Sequence, residues 1–210
     1  MTQDVLATYD ARFPALERVA KNLTSLLHEH LAEMPRIDRV SSRAKGKHSF
    51  AAKAGRLDPE GKPRYEDPLA QIQDQVAARV IVFYKSDVDL VADIVAHYFQ
   101  PIEWEDRVPE SDWEFGYFGR HWVLALPDDV IPGDVDRSLV PRFFELQVRT
   151  LFQHAWSEAS HDLAYKPPEK LSSDQRRRFA YTAAHAWGAD RVLEDLWREL
   201  DPTGGDAARS

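Results

Sequence analysis

The sequence predicts an α+β fold: a mixed β-sheet flanked by helices, with one helix leading in at the N-terminus and another closing the C-terminus. Three observations predict it. Stretches near both ends carry apolar residues at three- and four-residue spacing. Three short segments between them are β-branched or alternate apolar with polar side chains. One of those segments runs directly into a helical pattern, a β-to-α unit.

Phe13 to Met34 reads as an amphipathic helix, with Leu16, Val19, Leu23, Leu26, Leu27 and Leu31 on one face and Pro35 at its end. Arg39 to Lys53 is basic and polar, and Gly55 to Pro68 reads as a loop. Val76 to Tyr84 is the best strand, followed by a helix over Asp87 to Phe99. Glu103 to Phe115 is acidic, aromatic and loop-like. Trp122 to Leu126 and Phe143 to Val148 are two more strands, joined by a long turn over Pro127 to Pro141. Thr150 to Leu163 reads as a helix with Leu151, Phe152, Ala155, Trp156, Ala159 and Leu163 on one face, stopped by Pro167 and Pro168. Ser172 or Ser173 caps a final helix to about Leu200, with Phe179, Ala183, Trp187, Leu193, Leu196 and Trp197 inward. The organisation is therefore an N-terminal helical segment over 1–38, a core over 39–166, a C-terminal helix over 167–201, and a disordered Gly- and Ala-rich tail over 202–210.

Composition narrows the function. A chain of 210 residues supports one well-buried core or two small ones. It has no cysteine, which excludes disulfides and thiolate metal sites. Met1-Thr2-Gln3-Asp4 has no basic region followed by an apolar stretch, and no run approaches a membrane span, so a cytoplasmic protein without membrane contact is expected. The net charge of −8 argues against a non-specific nucleic-acid binder, but a polyanionic substrate would still need a local basic site.

The segment Arg43-Ala44-Lys45-Gly46-Lys47-His48-Ser49, followed by Lys53, supplies that site: four cations in eleven residues of an acidic chain. If the stretch from Ser49 is helical, Ser49 and Lys53 share a face, where a hydroxyl and an ammonium could both reach phosphate oxygens. A solvated basic loop is the plainer reading. Asp74, at the start of the strand that carries Arg79, is a sensible magnesium ligand or a simple cap. In Phe144-Glu145-Leu146-Gln147-Val148-Arg149, strict alternation puts Glu145, Gln147 and Arg149 on one face, as exposed side chains or as the floor of a polar pocket. His154, Glu158 and His161 or Asp162 share a helix face, which reads more readily as a polar face than as a metal site. Gly116-Tyr117-Phe118-Gly119 offers an exposed-looking aromatic pair on a Gly-flanked loop, a platform for a base or an ordinary turn. No Gly-rich phosphate loop and no Gly-x-Ser-x-Gly elbow is present.

Taken in order, these segments resemble one family. Arg43-Ala-Lys45-Gly-Lys-His-Ser49-Phe-Ala-Ala-Lys53 is similar to the Arg-x-Lys-x-x-x-Ser-x-x-x-Lys segment of RelA/SpoT-type synthetases. Asp74-Gln-Val-Ala-Ala-Arg79 resembles their Asp-x-x-Gly-x-Arg, and Gly116-Tyr117-Phe-Gly-Arg-His121 their Gly-Tyr-x-x-x-His loop. Glu145-Leu-Gln147-Val-Arg149-Thr150, His154-Ala-Trp156 and His161-Asp162-Leu-Ala-Tyr165-Lys166 resemble their Glu-x-Gln-x-Arg-Thr block and the helix after it.

The resemblance implies a nucleotidyltransferase-like sheet and a pyrophosphokinase without the family's hydrolase half, moving the β,γ-pyrophosphate of ATP to the 3′-hydroxyl of GDP or GTP. It implies that Arg43, Lys45, Ser49, Lys53 and Arg79 hold ATP and that Asp74 and Glu145 are catalytic and hold Mg²⁺. It places Tyr117, His121, Gln147 and His154 on the acceptor side, with Tyr117 stacking on the base. Departures from the family pattern at Ala77, Phe118 and Arg120, and an acidic stretch from Glu105 to Glu114, gather on the acceptor side. They leave open a toxin of the same family acting on an adenosine nucleotide or the tRNA 3′ end, with Arg176-Arg177-Arg178 as an RNA contact. They also leave open an antitoxin partner and a homo-oligomer. A non-catalytic nucleotide-binding regulator is the third alternative; it would be expected to lack Asp74 or Glu145, and both are present.

Overall fold

Period-two alternation builds the centre of the molecule. In the computed structural model, which describes residues 3–106, 116–117, 119–165 and 171–201, the strands are β1 (Ile37–Ala44), β2 (Val76–Val82), β3 (Pro101–Asp106), β4 (Arg120–Ala125) and β5 (Phe143–Thr150). They form one mixed sheet in the order β1-β2-β5-β4-β3, in which only β2 and β5 run parallel. The helices are α1 (Gln3–His30), α2 (Lys47–Ala54), α3 (Pro68–Gln71), α4 (Lys85–Tyr98), α5 (Leu151–Tyr165) and α6 (Ser173–Leu200). The expected α+β architecture is the observed one.

The two sheet faces differ in chemistry. Val76, Ala78 and Val80 of β2 and Phe144, Leu146 and Val148 of β5 are buried on one face. Against them α1 packs Leu16, Val19, Leu23 and Leu27, and α4 packs Val88, Val91 and Val95. Each such side chain contributes about 1.5–3 kcal/mol when taken fully out of water. Their neighbours in sequence, Ala77 and Arg79 on β2 and Glu145 and Gln147 on β5, are only half-buried and look out from the other face. The register pairs Ala77 with Glu145 and Arg79 with Gln147, so the polar residues of the two strands form one patch.

Three elements differ from the sequence expectation. Helix α1 starts at Gln3, not Phe13, and runs through Pro14. Its extra turns gain a tertiary partner, since Tyr9 is buried and its ring stacks on Phe50 at 3.7 Å between centroids. The basic segment holds a strand, β1, whose Arg39, Ser41 and Arg43 are exposed and leave little apolar signal. Residues 103–106, the start of the stretch expected as loop, belong to the edge strand β3.

Helix α6 has the expected Ser172 cap, with Ser172 Oγ accepting from Gln175 N–H. Its inward face is only partly the expected one: Phe179 and Ala183 do pack inward, with Tyr117 and Trp156. Trp187, Leu193 and Leu196 are exposed, whereas Ala183, Asp190 and Glu194 are buried. The helix docks through hydrogen bonds: Asp190 accepts from the hydroxyls of Tyr117 and Thr150, and Glu194 from the N–H and hydroxyl of Ser86. Trp197 does turn inward, stacked on Tyr84 with the Arg36 guanidinium 4.3 Å over its ring. On α5, Gln153 and Trp156 are buried, while Ala155, Ala159 and Leu163 are exposed. Among the described residues no helix is long and apolar enough to cross a membrane. The expected breaks at Pro167 and Pro168, the tail from Pro202, and Phe118 lie outside the described residues.

Candidate active site

The polar sheet face ends at Asp74, in a 3₁₀ turn (Gln73–Gln75) just before β2. The buried Gln75 fixes that turn by donating its side-chain amide to the carbonyls of Leu69 and Ile72. As β1 leaves the sheet, Lys45 N–H donates to Gln75 O at 2.8 Å, which lays the basic segment alongside the turn. Lys45 Nζ then lies 2.8 Å from Asp74 Oδ2, and Lys53 Nζ, from the last turn of α2, 3.0 Å from Asp74 Oδ1. The Tyr9 hydroxyl donates to the Lys45 carbonyl at 2.7 Å, pinning the clamp from behind. Ser49 and Lys53 do share a face of α2, with Ser49 exposed. Arg43 is exposed and makes no ion pair among the described residues.

Glu145 is the second acid. Its Oε1 accepts from Gln147 Nε2 at 2.6 Å and lies 3.0 Å from His121 Nδ1. Burial raises the carboxyl's pKa, but the hydrogen bonds from His121 and Gln147 and the charges of His121 and Lys53 lower it further, to about 2. Glu145 is therefore ionised at neutral pH. Lys53 is the cation the two acids share: it bonds Asp74 and its charge reaches Glu145. Carboxylates brought close together repel, and here one ammonium lies within reach of both. A pair of carboxylates, an all-oxygen donor set, fits a hard divalent ion. Gln147 Oε1 is buried without a hydrogen-bond partner, an acceptor at the floor of the site.

Beyond the acids a cleft of about 420 Å³ opens over β1, β2 and β5, lined among others by Arg43, Arg79, Gln147, Arg149 and Glu158. Arg79 Nη1 pairs with Glu158 Oε1 at 2.9 Å and approaches His154 Nδ1 at 3.4 Å. Burial, then the charge of Arg79, lowers the His154 pKa and holds that imidazole neutral.

The structure thus gathers Lys45, Lys53, Asp74 and Glu145 at one end and Arg43, Arg79 and Gln147 along the cleft, with His154 beside Arg79. His121 faces the same side but is spent on Glu145. Tyr117 is a correction. It is no exposed platform: it is buried with Trp156 and Ala183, its hydroxyl bonded to Asp190, because α5 and α6 close around it. Arg120 is another. Alternation sends it to the opposite sheet face, where it pairs with Asp89 of α4 at 3.1 Å, away from the cleft. Tyr9 was missed. Glu158 was legible only as part of a polar helix face, and Tyr9 lies in turns that sequence spacing did not reach. No group of three or more His, Asp or Glu among the described residues forms a metal site, so the His154–Glu158 face serves Arg79 instead.

Comparison with known proteins bears on the family and the fold. The family model of a region found in RelA / SpoT proteins matches residues 42–170. GTP pyrophosphokinase YjbM of Bacillus subtilis (strain 168) is 24% identical over 176 residues, 83% of this chain and 78% of that protein. A GTP pyrophosphokinase family protein from Streptococcus pneumoniae superposes with a TM-score of 0.71 at 22% identity, covering 97% of both chains. Small alarmone synthetase 1 from Bacillus subtilis, in a structure bound to its product pppGpp, superposes with a TM-score of 0.66 at 22% identity, covering 93% of this chain and 96% of that one.

Proposed function

Since the chain belongs to the RelA/SpoT family, we propose that it is a cytoplasmic pyrophosphokinase that moves the β,γ-pyrophosphate of ATP to the 3′-hydroxyl of GDP or GTP, making (p)ppGpp and releasing AMP. The observation that carries the reading is the gathering of Asp74, Glu145 and two lysines beside an arginine-lined cleft. A relative that forms pppGpp supports a guanosine acceptor. The position of Arg120 on the far sheet face removes one reason for looking to another acceptor.

The acceptor oxygen attacks the β-phosphorus, the bond from the β-phosphorus to the bridging oxygen of AMP breaks, and the hydroxyl proton is released. Such transfers are mostly positioning and charge neutralisation. Lys45 and Lys53, which pair with Asp74, turn to the phosphate oxygens, and Ser49 adds a hydroxyl one helical turn from Lys53. Arg79 and Arg43 hold the rest of ATP along the cleft. Asp74 and Glu145 would hold Mg²⁺, which when bound would screen the triphosphate and stabilise charge building on the departing oxygen. A carboxylate with a pKa of about 2 is a weak proton acceptor, so the part of Glu145 is to orient the hydroxyl and hold the ion. His121 and Gln147 keep it ionised and fixed.

The test offers magnesium and ATP labelled at the γ-phosphate with GDP, GTP, ADP or deacylated tRNA in turn. Label on GDP or GTP supports the reading. Label on ADP or tRNA moves the chain to the other acceptor class, and no transfer to any acceptor overturns the enzymatic reading.

A further inference from the structure

Glu158 is the one acid among the residues that line the cleft beside Arg79. Its placement is specific. Oε1 lies 2.9 Å from Arg79 Nη1 and 4.0 Å from Arg149 Nη1, and 3.9 Å from the neutral His154. All three of these approaches are to Oε1. The side chain is half exposed, at 53% of its surface.

Glu158 is not one of the acids at the lysine clamp, which are Asp74 and Glu145. The strand register shows which end it marks. Asp74 and its two lysines stand just before β2, and Arg79 is five residues beyond Asp74 along that strand. Arg149 pairs with Ile81, two residues further still. At about 3.3 Å per residue, Glu158 and its arginines sit well over 10 Å along the strands from the lysine clamp. The far end of the cleft takes the end of ATP that carries no charge, the base. Arginine guanidinium planes stack on aromatic rings, and the Arg79–Glu158 pair fixes such a plane there.

Resting on the proposed function, we infer that Glu158 is a specificity-determining residue for the donor base, with its carboxylate accepting a hydrogen bond from the exocyclic amine of adenine. Adenine presents an N–H donor at that ring position, where guanine presents a carbonyl oxygen. A carboxylate bonds the first and repels the second, so one side chain both rewards ATP and rejects GTP as donor. This matters for an enzyme whose other substrate is a guanine nucleotide. A site built to bond a donor group discriminates against an analogue that lacks it, because the acceptor then loses that bond.

The experiment measures Kd by calorimetry for non-hydrolysable analogues of ATP, of GTP and of purine riboside triphosphate, which lacks the amine, on wild type, Glu158→Gln and Glu158→Ala. Melting curves verify that each variant folds. Wild type should prefer the ATP analogue to the amine-free analogue by tenfold or more. Glu158→Ala should bring that ratio within about twofold, and Glu158→Gln should raise relative affinity for the GTP analogue. Two results overturn the inference while leaving the proposed function intact. In one, both variants lose all three nucleotides equally, so Glu158 only props Arg79. In the other, all three bind more tightly, so Glu158 only competes with phosphate. A wild-type protein that binds no ATP analogue at all would overturn both.

Discussion

Lys53 Nζ stands 3.0 Å from Asp74 Oδ1 and also lends its charge to Glu145, so one ammonium holds the place between two acids from different parts of the chain. Asp74 in turn neutralises both Lys45 and Lys53. Replacing it by Asn frees both ammoniums for a polyanion while removing an oxygen ligand for the ion. Asp74→Asn should therefore bind ATP more tightly than wild type when no magnesium is present. Transfer with magnesium should fall by at least about 100-fold. Because the ion pairs are partly solvated, the stability cost should stay near 1–2 kcal/mol. Calorimetry with and without EDTA, a transfer assay and urea unfolding check the three parts, and weaker metal-free ATP binding would refute the clamp.

Gly119 sits against β5 with no room for a side chain. A Cβ there would meet the Val148 carbonyl oxygen and Arg149 Cγ, both at 2.4 Å. The first is backbone and cannot swing aside. Gly119→Ala should cost about 1–3 kcal/mol by overpacking and disturb Arg149, whose Nη1 bonds Ser157 Oγ at 2.8 Å. Urea unfolding measures the cost; a change below 0.5 kcal/mol would show that the loop yields freely.

The sheet face behind the site was readable because its signal is periodic. Glu145, Gln147 and Arg149 alternate with Phe144, Leu146 and Val148, and the structure keeps that division. The lysine clamp was readable as charge density but not as geometry, since Lys45 meets Asp74 only through the Gln75 backbone contact. Helix α6 was misread for a physical reason: it docks through Asp190 and Glu194, and hydrophobic spacing carries no information about buried polar contacts. Tyr117 was misjudged for the same reason, because its partner is Asp190, 73 residues away.

Asp190 makes the acid side of the stability curve testable. Burial raises its pKa above the ordinary 3.8, and the hydrogen bonds from Thr150 and Tyr117 and the charge of Lys85 only partly oppose this. The folded protein thus binds this proton more readily than the unfolded chain does. That contribution is fully present below the unfolded value and is lost as pH rises through the folded one. Asp190→Asn removes it, so the stability difference, wild type minus variant, should grow as pH falls from 7 towards 4. Urea unfolding at several pH values measures this, and a difference that shrinks on acidification would reverse the assignment.

Tyr9 tests whether the clamp is held from behind. Its ring lies on Phe50, and its hydroxyl donates to the Lys45 carbonyl, the residue whose ammonium grips Asp74. Burial, then the charge of Asp74, pushes the phenol's pKa up, so the hydroxyl remains a donor across the working range. Tyr9→Phe keeps the stack and deletes only the donor. It should cost about 1 kcal/mol of stability and raise the KM for ATP several-fold, with kcat nearly unchanged and no dependence on pH between 6 and 9. Tyr9→Ala would lose the ring as well, at about 3–5 kcal/mol, and would confound folding with function. A cycle with Lys45→Ala separates the causes: if the hydroxyl acts through Lys45, the KM effect of Tyr9→Phe should vanish once the lysine is gone. An undiminished effect in that background would mean that Tyr9 stabilises the fold without placing the clamp.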